Sequence, residues 1–364
     1  MLSTGRVRPI TGAACGPAYN PLVHLGSYAA STAVWRGAEL FDRPDWSATL
    51  TDGELRDLEA FARVSAGPDE AGAAVSDRTA PPPSVLARAR AARTALETGS
   101  GAVLLRGLPF ARWGESLTTR AFWALAGSIG TPVSQSAEGE RVFHVRDQGY
   151  ADQDPRFRGP ASRKRLSFHT DRCDVIAFAC LQPARTGGDN FIVSSVALYE
   201  TLRTRQPEAL RVLCEPFPYL RHTVDSGNTL PFCLLPIFSE QDGHFAAHFL
   251  RVLIDRADCE PSAPTLTAAQ RDVLDALEAL AEDPALHVRV RLEPGDVLLL
   301  NNWTTLHRRS AFTDAASLQE RRHLLRIWLS MPDSRPIASC FAEHFGATAA
   351  GALRGGMRPA RQPA

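Results

Sequence analysis

Lysine is all but missing from this chain: of its 40 basic residues, only Lys164 is a lysine. In so alanine-rich a sequence this reads as coding bias rather than as design for phosphate binding. Net charge is missing too, because 40 acidic side chains balance the basic ones. No global field therefore draws the chain to nucleic acid or to an anionic membrane. There is no run of about 18 apolar residues, and the opening stretch MLSTGRVRPITGAACGPAYN has no apolar core of signal-peptide length. The expected setting is the reducing cytosol, with neither nucleic acid nor membrane as partner. The seven cysteines are odd in number and contain no C-x-x-C, so they offer neither a disulfide framework nor a zinc ribbon. Cys173 and Cys180 lie in an apolar stretch and read as small buried hydrophobes. No internal repeat is visible, and GRVRPITGAAC lacks the P-loop pattern.

What is present is a chain of 364 residues, long enough to bury a sizeable core. TDGELRDLEAFARVSA (51–66) opens with Thr51 and carries Glu54 three residues on, a capping-box helix start. An Ala/Arg helix is expected from about 85 to 98, ending near Gly99 and Gly101. GAVLLRGLPF (101–110) reads as a buried strand and RAFWALAGSIG (120–130) as a helix. From 140 onward short strand candidates dominate: RVFHV, LSFHT, VIAFACL, FIVSS, PFCLLPIFS, HFAAHFLRVLI, LHVRVRL, DVLLLNN and LLRIWLS. Helical inserts interrupt them near 194–213 and 267–283. Asp242-Gly243 signals a type I′ hairpin, and Glu293-Pro294-Gly295-Asp296 another tight turn. Many short strands with helical insertions predict a mainly β fold with helical additions, a jelly roll in the first instance. The expected organisation is an N-terminal helical and irregular extension over 1–99, a core over 100–345 and a flexible tail over 346–364.

Within LSFHTDRCDV (166–175), His169 and Asp171 are two apart and share a face if the segment is extended. Alone, the pair is no more than chance supplies. A third donor, His307, follows the strand DVLLLNN. Two histidines and one carboxylate, leaving adjacent positions open, form the facial triad of non-haem Fe(II) oxygenases, whereas a structural zinc site wants four closed ligands. Further on, Arg322 and Arg326 share a face if RHLLRIWLS is a strand. Two guanidiniums turned into a β core are costly unless anions meet them, and their forked donors suit carboxylates.

The order H-T-D (169–171), G-G-D-N (187–190), N-N-W-x-x-L-H (301–307) and R-x-x-x-R (322–326) resembles the TauD/TfdA family of Fe(II)- and 2-oxoglutarate-dependent dioxygenases, within the clavaminate synthase-like superfamily. The resemblance spans roughly 100–332. It implies a double-stranded β-helix core in which His169, Asp171 and His307 are catalytic and bind Fe(II). Arg322 would pair with the distal carboxylate of 2-oxoglutarate. Arg326 would meet an acidic group of the substrate, with Gln135 loosely a substrate-side position. Asn190 stands where the family commonly has Thr or Ser against the cosubstrate, and its amide can still donate. Halogenating relatives have Gly at the position of Asp171, so its presence argues against halogenation. The implied reaction consumes O₂ and 2-oxoglutarate, releases succinate and CO₂, and hydroxylates, desaturates or cyclises an unactivated C–H of a small substrate. Arg326 and the basic run 156–165 favour a carboxylate-bearing molecule such as an amino acid or natural-product intermediate.

Other readings stand beside this one. Trp303, Phe143 and Phe168 could line a pocket for a larger apolar substrate, with Trp303 or Asn302 facing it and Asn301 serving the turn. Loops 134–165 and 222–231 are natural pocket walls. A jelly-roll binding or regulatory protein could retain the metal without turnover. A zinc hydrolase would need a general base that the sequence does not offer. His244 and His248 lack the Glu of a helical H-E-x-x-H and fit strand or packing positions. His222 and His323 read as ordinary polar positions. Homo-oligomer formation is compatible with all of this.

Overall fold

In the computed structural model, which describes residues 26–68, 80–136, 138–147, 162–221, 228, 230–317 and 320–357, local sequence signals place the first helices. The Thr51 hydroxyl accepts from the Glu54 N–H while the Glu54 carboxylate accepts from the Thr51 N–H, satisfying donors that a helix start leaves free. The N-terminal elements are β1 (Ser47–Thr49), α1 (Asp52–Val64), α2 (Pro83–Thr98), β2 (Ala102–Arg106) and α3 (Phe110–Ile129). Then come β3 (Thr131–Val133), β4 (Phe143–Val145), β5 (Val175–Gln182), β6 (Thr186–Gly187) and β7 (Asn190–Ser194). Helices α4 (Ser195–Arg205) and α5 (Pro207–Leu213) lead into β8 (Phe217–Leu220), β9 (Phe232–Leu235), β10 (Phe238–Gln241) and β11 (His244–Ala247). The chain continues through α6 (Arg251–Asp258), α7 (Ala268–Ala281), β12 (His287–Val290), β13 (Val297–Asn301), β14 (Thr305–Arg309), β15 (Phe312–Thr313), β16 (His323–Ser330) and α8 (Ala342–Phe345).

Two sheets face each other. The larger runs β1-β2-β13-β5-β16-β3, with β4 also on β16, and the smaller runs β12-β7-β14. Alternation along the strands sorts the side chains. Ile176, Phe178, Leu298, Leu324 and Trp328 from the larger sheet meet Ile192, Val288 and Val290 from the smaller in one buried cluster. The opposite row of the larger sheet, including Val175, Ala177, Leu299, Leu325 and Ile327, packs with Leu58, Phe61, Leu96, Phe122 and Trp123 of the helices α1–α3. Behind the smaller sheet, Val193 and Leu306 join residues of α4, α5 and α7.

Burial of sheet faces by helices explains the first departure from expectation: helix, at 34%, exceeds strand, at 24%. The chain is thus strand-rich within a helical coat rather than mainly β. HFAAHFLRVLI is not one strand. β11 ends at Ala247, and 251–258 turns helical, with Leu253, Ile254 and Ala257 buried on one side. LSFHT forms no strand beyond an isolated bridge between His169 and His307. Asp242 and Gly243 take φ of 52° and 79°, as a type I′ turn requires.

The tail is not loose throughout. Arg354 is buried and its Nε donates to Asp174 at 2.6 Å, while its Nη2 reaches the Arg335 carbonyl at 2.8 Å. A buried guanidinium needs such a partner, and this one holds 346–357 against the core; 358–364 lie outside the described residues. So do Arg156–Ala161 of the basic run, most of 222–231 including His222, and part of the 134–165 wall. Among the described residues no helix is long and apolar enough to cross a membrane.

Candidate active site

His307 follows β13, as expected, and lies inside the next strand, β14, opposite Ile192 of β7, so its ring faces the space between the sheets. His169 is brought beside it by paired backbone bonds: its N–H donates to the His307 carbonyl at 2.9 Å, and the His307 N–H returns the bond at 3.0 Å. The rings stand 4.4 Å apart, centroid to centroid. Thr170 then pins the chain, its N–H donating to the Phe249 carbonyl at 2.7 Å and its hydroxyl accepting from the Phe249 N–H at 3.0 Å. Asp171 follows on the same side, with Oδ2 at 3.3 Å from His307 Nε2 and 4.0 Å from His169 Nε2.

These three groups fit a metal ion. The donor atoms lie within 4.8 Å of one another. His169 Nδ1 sits 2.8 Å from the Ser167 carbonyl, so an Nδ1–H there leaves the Nε2 lone pair turned to Asp171. Asp171 Oδ2 and His307 Nδ1 are buried without a hydrogen-bond partner. Burial, reinforced by His307, pushes His169 down to about 4, which keeps it neutral and ready to ligate. For Asp171 burial pulls upward, but the His307 ring 3.3 Å away and the Arg326 charge outweigh it and hold the carboxyl well below its usual range. One carboxylate with two imidazoles is a donor set suited to imidazole- and oxygen-binding divalent metals.

Arg326 faces inward by strand alternation, whereas Arg322 precedes β16 and a register shift between His323 and Leu324, and it reaches the same side as Leu324 through the pocket that they share. Arg326 lies opposite Phe178 of β5 and Phe143 of β4. Its Nε donates to Gln135 Oε1 at 2.7 Å, and its Nη1 stands 3.8 Å from Asp171 Oδ1. Gln135 in turn donates to the Arg326 carbonyl at 2.8 Å and the Arg141 carbonyl at 2.9 Å. Gln135 therefore positions Arg326, a role its sequence context did not reveal. Arg322 is 3% exposed, and its Nη1 is buried with no partner. Burial presses its guanidinium down to about 10, against the pull of Cys180, Asp314 and Asp189. Asp314 accepts from the Arg322 backbone N–H at 2.8 Å rather than from its side chain. Asn190, Arg322, Gly188, Leu324 and Cys180 line one pocket. Asn190 sits two residues before Ile192 on β7, on the strand face that also carries His307.

Trp303 is a correction. It is 1% exposed, donates from Nε1 to Asp174 at 2.8 Å and packs on Phe341 and Phe345. A large ring next to the last metal-ligand strand looked like a pocket wall, but it is core. Asn301 serves the turn, with Oδ1 accepting from the Trp303 N–H at 2.8 Å. Asn302 matters more: its Oδ1 accepts the Asp171 N–H at 3.0 Å. Phe168 is likewise buried, beneath the Arg308 guanidinium, whereas Phe143 lies under that of Arg326. His244 is an exposed strand residue and His248 a buried partner of Thr170. Arg163 and Arg165 of the basic run are paired with Asp147 and Glu282. Sequence reading passed over Arg309, which is 5% exposed, and whose guanidinium stacks on the Phe312 ring that also lies under Arg322.

Known proteins resemble this chain in sequence and in fold. FR-33289 synthase of Streptomyces rubellomurinus is 30% identical over 343 residues, covering 91% of this chain and 96% of that protein. An asparagine oxygenase solved with Fe(II), 2S,3S-3-hydroxyasparagine and succinate superposes with a TM-score of 0.58 at 20% identity, over 78% of this chain and 93% of that one. The non-haem iron oxygenase OrfP, solved with Fe and alpha-ketoglutaric acid, gives 0.57 at 17% identity over 78% and 93%. Residues 66–328, from the end of the first helix to the last strand of the large sheet, match the taurine catabolism dioxygenase TauD, TfdA family. The chain belongs to that family and is a 2-oxoglutarate-dependent non-haem iron dioxygenase.

Proposed function

We propose that His169, Asp171 and His307 hold Fe(II), that Arg322 and Asn190 grip the distal carboxylate of 2-oxoglutarate, and that Arg326 meets an acidic group of a small prime substrate. The scaffold is read as a double-stranded β-helix over 100–345 with 1–99 as an extension. The observation that carries the reading is a pair of buried polar atoms without partners: Asp171 Oδ2 beside the two imidazoles, and Arg322 Nη1 of the side chain that lines a pocket with Asn190. Buried polar atoms without partners are costly, and an iron-bound 2-oxo diacid would satisfy both. When bound, Fe(II) supplies O₂ activation and couples loss of CO₂ from 2-oxoglutarate to oxidation of a substrate C–H.

The chain's own work is placement. Arg322, buried to 3% exposure, fixes the cosubstrate's far end, since a charge-assisted bond is stronger at a buried site. Phe178, whose ring lies 6.0 Å from that of His307, gives the metal an apolar wall that limits side reactions with water. Gln135 and Asp171 fix the plane of Arg326, leaving its remaining edge to orient the substrate. Asparagine oxygenase holds a hydroxylated asparagine, and OrfP has been solved with (3S)-hydroxy-L-Arg. These supports favour hydroxylation of an amino acid or a similar carboxylate-bearing molecule, with succinate as coproduct.

The test is anaerobic loading with Fe(II) and 2-oxoglutarate, read by the weak visible charge-transfer absorbance of the iron-bound 2-oxo acid. Wild-type chain is expected to develop the band and lose it on admission of O₂. Asp171→Ala is expected to abolish turnover with the fold retained. A band of normal strength in that variant would remove Asp171 from the site.

A further inference from the structure

The face of β16 turned away from the triad carries a second cluster of donors. Strand register sets it up: Leu325 of β16 lies opposite His144 of β4, and Leu325 packs with the helices rather than between the sheets. His144 therefore points outward, and His323, at the register shift that opens β16, meets it on that side. His144 Nδ1 lies 2.8 Å from His323 Nε2. Glu115 completes the group from α3, one residue past the break in that helix at Gly114, where φ is 69°. Its carboxylate oxygens stand 3.9 Å from His144 Nδ1 and 3.9 Å from His323 Nδ1. Among the described residues, this cluster and the triad are the two groups whose metal-type donor atoms fall within 4.8 Å of each other.

The ordinary explanation is a hydrogen-bonded histidine pair beside a solvated carboxylate. It leaves the carboxylate unexplained, because 3.9 Å exceeds hydrogen-bond reach from either ring. A cation answers it: one donor atom from each of the three side chains lies within 4.8 Å of the others, near the roughly 3.3 Å that separates ligands about 2.0–2.1 Å from a tetrahedral ion. Arg146, the nearby competing cation, is exposed one residue beyond β4.

We propose that Glu115, His144 and His323 form a second divalent-cation site, outside the active centre, and that Zn²⁺ is the ion it takes. Two imidazoles and one carboxylate suit zinc, with water in the fourth position. The site ties three elements, α3, β4 and β16, at one point. On the inner side of that same strand pair, Phe143 lies opposite Arg326, its ring 5.2 Å from the guanidinium. A bound zinc thus fixes the wall that carries Arg326 from behind.

The full-length chain with His169→Ala and Asp171→Ala removes the triad as a competing site. Zinc titrated into it against a chromophoric chelator is expected to fill one equivalent. Adding His144→Ala, or separately Glu115→Gln, is expected to weaken that binding at least about tenfold. Both residues are exposed, so the fold is retained, and circular dichroism of each variant checks this. No zinc bound by the triad-free chain overturns the proposal. Binding that His144→Ala and Glu115→Gln both leave unchanged also overturns it, and assigns the ion to another histidine such as exposed His244.

Discussion

At the scale of single residues, the site is a sequence of charges placed where each can be answered. Arg322 is the clearest case, since its guanidinium is buried with an unpartnered Nη1. Arg322→Ala is expected to raise the 2-oxoglutarate dissociation constant, measured anaerobically with Fe(II), at least about tenfold, the loss of one charged hydrogen bond. Arg322→Lys keeps the charge but not the fork and should fall between the two; an unchanged constant in both would move the clamp elsewhere. The residues that carry chemistry were legible because their types are rare in apolar strands: His169, Asp171, His307, Arg322 and Arg326 stand out from their surroundings. Trp303 misled for the opposite reason. An aromatic ring fits a pocket wall or a core equally well, and only Asp174 at the far end of its N–H decides.

At the scale of elements, what matters is how short segments aim those side chains. The turn between β13 and β14 does this for Asp171, through the bond from its N–H to Asn302. Asn302→Ala removes that acceptor and is expected to weaken Fe(II) binding by about 10–100-fold, as loss of a supporting partner does. Fluorescence or chelator competition would read it, and unaltered affinity would make Asn302 a turn residue only. Gly188 serves the other end. At φ 73°, a Cβ there would lie 3.1 Å from Arg322 Nε and 3.1 Å from the Ala184 Cβ. Gly188→Ala is therefore expected to displace the guanidinium and to raise the 2-oxoglutarate requirement while Fe(II) affinity stays unchanged. Capping boxes, Asp-Gly and the apolar runs made these elements readable. The hydrogen bonds of Gln135 and Asn302 were not, because they join positions more than a hundred residues apart.

At the scale of the whole molecule, burial of ionisable groups couples stability to pH. Burial, aided by the Arg172 charge, drives His248 down to about 3, and burial holds His169 and His323 at about 4. In the unfolded chain each titrates near 6.5. The unfolded state therefore binds more protons throughout the interval between, and stability must fall as pH drops from about 6.5 towards 4. Urea midpoints of the metal-free chain are expected to be lower at pH 5 than at pH 7, with His248→Gln showing a smaller decline; equal declines would assign the effect to other groups. A last consequence lies in the order of synthesis. Asp174, three residues after Asp171, is answered by Arg354 at 2.6 Å, with both side chains almost wholly buried. Until residue 354 has been made, Asp174 lacks its counter-charge, and removing one partner of such a pair costs about 3–5 kcal/mol. Two of the proposed metal donors, His169 and Asp171, are thus made long before the third, His307, and before the Arg354 that secures the segment beside them, so metal loading is expected to follow synthesis of residue 354.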